Sequence, residues 1–242
     1  MTLFGKLALV TGGSGTIGKA IAKALASQGA DVVITGRNLD RLEQAASAIK
    51  TEVPSASPVK CISCDVTVES SVCELFQNLD NIDLLVNNAG TAVDGATTDL
   101  TADDFERVMR VNVTGPFLCA REAMKRMKTS GHGRIINIGS LSAISPRPHS
   151  APYTTSKFAL AGLSQSLALD GRPYNIAVGI IHPGNVESEL LSEETIAERY
   201  LEGFLQPSQV ADCVVAMANM PPAANVLEMT IMPTPQPLVG RG

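Results

Sequence analysis

Short apolar runs alternate with helical patterns along almost the whole chain. Strand-like runs stand at 6–11, 31–35, 58–63, 82–86, 134–139, 176–181 and 227–232, and helical spacing fills 17–29, 39–50, 68–77, 102–128, 151–171 and 207–219. In the first helical stretch Ile17, Ile21, Ala24 and Leu25 recur at intervals of three and four, one apolar face of a helix. The segments DVVIT, IDLLV and IAVGII are continuous apolar runs, the pattern of strands covered on both faces. Repeated strand–helix units predict an α/β fold, a doubly wound parallel sheet of Rossmann-like form with right-handed crossovers. No repeat, low-complexity linker or change of composition divides the chain, so residues 1–242 read as one dinucleotide-binding domain. The stretch ESELLSEETIAERYLEGF interrupts the rhythm and is expected to act as a substrate lid around 188–205.

Composition narrows what such a fold would serve. At 45% hydrophobic residues over 242 positions the chain can bury a sizeable core. Its longest apolar stretches fall far short of the roughly 20 residues that span a bilayer, so no membrane partner is expected. A net charge of -5 and a pI near 5.2 argue against nucleic acid. The N-terminus lacks the layout of a signal peptide, and the cysteines, at 61, 64, 73, 119 and 213, are odd in number and read as free thiols. A cytoplasmic protein with a small-molecule partner is expected. Cys61 and Cys64 form a C-x-x-C, but in a strand-like segment with no second pair, so they read as small core side chains. His132, His149 and His182 are scattered, and no metal is expected.

In a sheet of this kind ligands bind beyond the carboxyl ends of the strands, and the informative residues follow the strands here. After the first comes TGGSGTIG, residues 11–18. Its glycines open a helix whose first N–H groups can seat a pyrophosphate: Gly12 for the tight turn, Gly15 for the approach of phosphate oxygens, Gly18 for close packing. A structural turn would use the same composition. After the second strand comes Gly36-Arg37, where NAD binders need an acidic residue; a guanidinium there suits a phosphate and favours NADP(H). Asp65 follows the third strand, placed either to accept from an adenine amino group or to cap the next helix. NNAG, Asn87 to Gly90, follows the fourth, with asparagines suited to tying loops together. Ser140 ends the fifth, and Tyr153 and Lys157 then stand at i and i+4, on one helical face. A phenol titrates near ~10, and a nearby ammonium with a cationic nicotinamide would bring it toward general acid–base work.

These residues, in this order over 5 to about 190, resemble the short-chain dehydrogenase/reductase family in its compact, single-domain branch. The resemblance implies that Asn112, Ser140, Tyr153 and Lys157 form the catalytic tetrad, with the helix of Asn112 holding a water in a proton relay. It implies that Gly12, Ser14, Gly15, Thr16, Ile17, Gly18, Arg37, Asp65, Val66, Asn88, Ala89, Gly90, Tyr153, Lys157, Pro183, Gly184, Val186 and Ser188 bind the cofactor. A homo-oligomer, tetramer or dimer, is likewise implied. Ser188 stands where a threonine is usual. The compact branch's T-G-x-x-x-G-x-G would put glycine at Thr16; the chain reads T-G-x-x-G-x-x-G, the spacing of the epimerase and dehydratase branch, a local rearrangement with the capacity to weaken cofactor binding.

The expected activity is NADP-dependent hydride transfer between the nicotinamide and a carbonyl or secondary alcohol, as in a carbonyl reductase. Alternatives are an NAD-using dehydrogenase of a small 3-hydroxy acid, to which NVLEMTIMPT bears a faint likeness, an epimerase or dehydratase, and a non-catalytic NADP-binding regulator. Too little chain follows Lys157 for an epimerase's substrate domain, and a regulator would be expected to lose part of the tetrad. Arg147 and His149 lie where a substrate carboxylate could be met, although a plain surface loop accounts for them too.

Overall fold

The computed structural model describes residues 3–188, 196–197 and 200–238. Of the expected lid, 189–195 and 198–199 lie outside the described residues. Seven strands, β1 (Leu7–Thr11), β2 (Asp31–Gly36), β3 (Lys60–Ser63), β4 (Leu84–Asn87), β5 (Gly133–Ile138), β6 (Ile176–Pro183) and β7 (Glu228–Ile231), pair in the order β3-β2-β1-β4-β5-β6-β7. Every pairing is parallel. Among the described residues the longer helices are α1 (Thr16–Ser27), α2 (Leu39–Glu52), α3 (Glu69–Gln77), α4 (Ala102–Met109), α5 (Gly115–Ser130), α6 (Ala151–Gly171) and α7 (Pro207–Ala218).

The inner strands β1, β2, β4, β5 and β6 bury both faces, which is why they read as unbroken apolar runs, while the edge strands β3 and β7 are only half-buried. On β1, Ala8 and Val10 belong to one core with Ile21 and Leu25 of α1, Leu42 of α2 and Met217 of α7. Leu9, pointing the other way, joins Phe76 of α3, Met127 of α5 and Leu167 of α6. The larger of these side chains each contribute about 1.5–3 kcal/mol by leaving water, and successive residues of a strand alternate between the two cores. Chain direction across the sheet reverses between β1 and β4, and the crevice at that switch point opens beyond the strands' carboxyl ends.

Strand and helix ends differ from the sequence expectation by a few residues: β3 begins at Lys60 rather than 58, and β6 runs on to Pro183. The larger difference is in 102–128. It is three pieces, α4, a π-helical turn over Arg110–Thr114 and α5. Pro116 lies in the first turn of α5 and has no N–H to give the carbonyl four residues back, so the α ladder is interrupted just there. Periodicity near 3.6 does not register such a widening.

Candidate active site

The glycine loop owes its shape to backbone needs. Gly12 has φ 64°, in the left-handed region, and a side chain at Gly18 would overlap the Gly12 carbonyl and the Asn88 amide. Gly15 is the extended N-cap of α1 and no side chain caps that helix, unlike α2, where Asn38 accepts from the Arg41 N–H. Thr16 is then the first residue of α1, so the atypical spacing still delivers a helix N-terminus to the crevice. Gly13 serves the core instead: a Cβ there would run into Ile34.

The NNAG segment is stitched to this loop. The Asn88 amide donates to the Thr11 and Gly12 carbonyls at 3.0 and 3.2 Å, while the N–H groups of Asn88 and Ala89 both donate to Thr11 Oγ1 at 3.0 Å. Asn87 donates to Asn137 Oδ1 at 2.9 Å, and Asn137 to Ser164 Oγ at 2.8 Å, a buried chain leading to α6.

At the far end of the crevice, Ser140 is extended and its hydroxyl accepts from the Ser142 N–H at 3.1 Å, capping a single 3₁₀ turn, Leu141–Ala143. Tyr153 and Lys157 rise from α6 beside it. The Lys157 ammonium, with only 6% of the residue exposed, donates to the Ile138 carbonyl at 3.0 Å and stands 5.4 Å from the Tyr153 ring centre. It therefore ties α6 to the end of β5 while remaining next to the phenol. Asn112, in the π turn, spends its side chain on the Thr91 backbone (2.8 and 2.9 Å) and on Ser156 Oγ (3.0 Å). Gly90 faces the gap between Asn112 and Lys157, where an added Cβ would lie 3.5 Å from one and 4.0 Å from the other.

One cleft of about 290 Å³ brings together Gly12, Ser14, Gly15, Thr16, Ile17 and Gly18, Asn88 to Gly90, Ser140, Tyr153 and Lys157, and Pro183, Gly184, Val186 and Ser188. Arg37, Asp65, Val66 and Asn112 do not line it. Arg37 is exposed just past β2, beside Gly36, whose absent Cβ leaves 3.8 Å to Ser14 Oγ. Asp65 bonds its own chain, accepting from the Thr67 N–H (2.9 Å) and hydroxyl (2.7 Å); this turn leads into α3 without capping it, since Val68 is the N-cap. Val66 is buried against Gly115. His149 is exposed and outside the cleft.

The residues present fit a dinucleotide. An uncapped helix N-terminus opens onto space that glycines keep clear, and the phenol–ammonium–hydroxyl group stands at the other end of the same cleft.

Several site residues have no signal in the sequence. Thr91, Asp94, Ser142 and Asn185 line the cleft as well. His182, at the end of β6 and 1% exposed, lies 3.0 Å from the Ser140 carbonyl through Nδ1 and 3.4 Å from Glu228 through Nε2. Burial pushes its pKa down, and the Lys157 charge acts in the same direction; Glu228 and the Ser140 carbonyl oppose them. A carbonyl oxygen can only accept, so Nδ1 is the donor that holds the main chain of Ser140. Asn185 donates from its side-chain amide to Glu202 at 2.7 Å and from its backbone N–H to Gln236 Oε1 at 3.0 Å, joining the end of β6 to the C-terminal segment.

The cysteines are all free thiols; Cys64 and Cys119 are buried, Cys61 and Cys213 half-buried, and burial raises the pKa of all four. Among the described residues no group of His, Cys, Asp and Glu could hold a metal ion, and no helix is long and apolar enough to cross a membrane.

Comparison with known proteins agrees with this geometry. The profile of the short chain dehydrogenase family matches residues 6–199. A 3-oxoacyl-(acyl-carrier-protein) reductase from Aquifex aeolicus is 35% identical over 231 residues, covering 90% of this chain and 91% of that one. A 3-ketoacyl-(acyl-carrier-protein) reductase from Brucella melitensis, solved with NADH, superposes with a TM-score of 0.85 at 26% identity, over 95% of this chain and 98% of that one. A metagenomic short-chain oxidoreductase solved with NADP gives 0.83 at 28% identity, over 97% and 99%.

Proposed function

The chain belongs to the short-chain dehydrogenase family, a family of oxidoreductases acting on CH–OH and carbonyl groups, and from that premise we propose that it is an NADP(H)-dependent ketoreductase with Tyr153 as general acid–base. The observation that carries this reading is the shared cleft: Tyr153, Lys157 and Ser140 at one end, an uncapped helix N-terminus at the other.

The nicotinamide cofactor, when bound, supplies or accepts the hydride. The glycine loop and the N-terminus of α1 would hold its pyrophosphate, and Asn88 to Gly90 with Pro183, Gly184, Val186 and Ser188 the rest. Ser140 and Tyr153 orient the carbonyl oxygen by hydrogen bonds, and Tyr153 gives its phenolic proton to that oxygen as the alcohol forms. Lys157, fixed on the Ile138 carbonyl, keeps a positive charge beside the phenol as the proton leaves. Asn112 fixes Thr91 and Ser156, and so the walls on either side of Lys157. NADP rather than NAD rests on Gly36 and Arg37 at the end of β2, since relatives in the family are solved with either nucleotide.

Carbonyl-dependent oxidation of NADPH tests this. Replacing Tyr153 by Phe should lower kcat by about 10²–10⁴-fold with the protein still folded. Arg37→Asp should raise KM for NADPH and leave NADH unaffected. Near wild-type turnover in Y153F removes the mechanism, and an unchanged nucleotide preference in R37D removes NADP.

A further inference from the structure

The substrate end of the cleft has a wall the catalytic residues do not account for. Asp94, in the segment after β4, and Arg147, in the loop before α6, meet across it and line the cleft with Ser140, Ser142 and Tyr153. Arg147 Nη2 donates to both carboxylate oxygens of Asp94 at 3.0 Å, and the guanidinium carbon stands 5.9 Å from the Tyr153 ring centre. The two loops are joined again where the Gly95 N–H donates to the His149 carbonyl at 2.8 Å, and Ser150 Oγ holds the Arg147 carbonyl at 2.7 Å. The pair is therefore fixed next to the place where a substrate oxygen must sit.

An unpaired arginine here would select a carboxylate. This one is already neutralised. A substrate carboxylate would put two negative charges around one positive charge in a partly buried site, an arrangement whose desolvation is poorly repaid. A hydroxyl meets no such penalty. It donates to the exposed side of Asp94 and accepts from the guanidinium, of whose donors the contacts among described residues use only Nη2.

We propose that the preferred substrate is a neutral α-hydroxy ketone, or its vicinal diol in the reverse direction, with the Asp94–Arg147 pair reading the hydroxyl next to the reacting carbon. The proposal rests on the ketoreductase reading above and names its substrate class.

Three four-carbon carbonyls separate the possibilities with NADPH: 3-hydroxy-2-butanone, 2-butanone and 2-oxobutanoate. The hydroxyketone should exceed 2-butanone in kcat/KM by about tenfold or more, since the unmatched pair is left partly unsatisfied by the plain ketone, and should also exceed 2-oxobutanoate. Calorimetry on the wild-type protein saturated with NADP+ should show 2,3-butanediol binding tighter than 2-butanol by a similar factor, a readout independent of turnover and of any variant. Arg147→Gln should bring the hydroxyketone-to-ketone ratio close to one. Asp94→Asn should free the guanidinium and raise 2-oxobutanoate relative to the hydroxyketone. The proposal is overturned if 2-oxobutanoate is the best wild-type substrate, if diol and mono-alcohol bind alike, or if R147Q leaves the ratio unchanged. Failure of the ketoreductase reading looks different: none of the three carbonyls is consumed, wild type equals Y153F, and the substrate proposal falls with it.

Discussion

Ser140 is held at both ends of its peptide environment: the Lys157 ammonium grips the carbonyl two residues earlier, and His182 grips its own. Because burial lowers the pKa of His182, the unfolded chain binds a proton there at pH values where the folded protein does not. Stability is thus full above about pH 6.5, the ordinary histidine value, and is lost as pH falls from there through the lowered folded-state value. His182→Asn keeps a donor for the Ser140 carbonyl but cannot titrate. Urea unfolding at pH 5.0 and 7.5 should give a smaller difference between the two pH values for the variant than for the wild type; equal differences would remove His182 from the account. At this scale the sequence is selectively legible. Tyr153 and Lys157 announce themselves because their geometry is local, one helical turn, and Ser140 because it ends a readable strand. His182 and Arg147 act on partners 42 and 53 positions away, and no spacing rule reaches that far.

Elements were legible wherever one physical period ruled a segment. All seven strands and the helices stand where apolar runs and three- and four-residue spacing put them, with ends displaced by a few residues because capping and pairing, not hydrophobicity, decide the last turn or rung. The π turn escaped because the apolar stripe continues through it, and its one trace was Pro116. In the glycine loop composition left a plain turn and a phosphate seat equally open, and the geometry adds a second demand: α1 must pack onto the Gly12 carbonyl. Gly18→Ala sets a methyl against that carbonyl and the Asn88 amide, so α1 must retreat from the strand ends. The expected cost is about 1–3 kcal/mol, as for other overpacked sites, with a clear rise in the dissociation constant for NADPH. Nucleotide fluorescence titration together with thermal unfolding checks both, and a variant as stable and as tight-binding as the wild type would contradict the packing.

Across the whole molecule, parallel order places every strand's carboxyl end on one rim, so residues distant in sequence, from Gly12 to Ser188, reach one cleft without any local signal for their meeting. The same fold leaves several large aromatic side chains uncovered. Phe105 on α4, Phe117 on α5 and Phe158 on α6 are 39%, 43% and 46% exposed, and the family resemblance implies a homo-oligomer. Burying each of these aromatic side chains in an interface between copies would contribute on the order of 1–2 kcal/mol. Light scattering after size exclusion should accordingly return a mass of two or four times the 25.4 kDa chain. Placing Glu at both Phe117 and Phe158 should release monomers, because two copies brought face to face would bury unpaired carboxylates. A wild-type monomer, or an assembly indifferent to both substitutions, would show that these helices face solvent in the native protein and that the implied association does not hold for this chain.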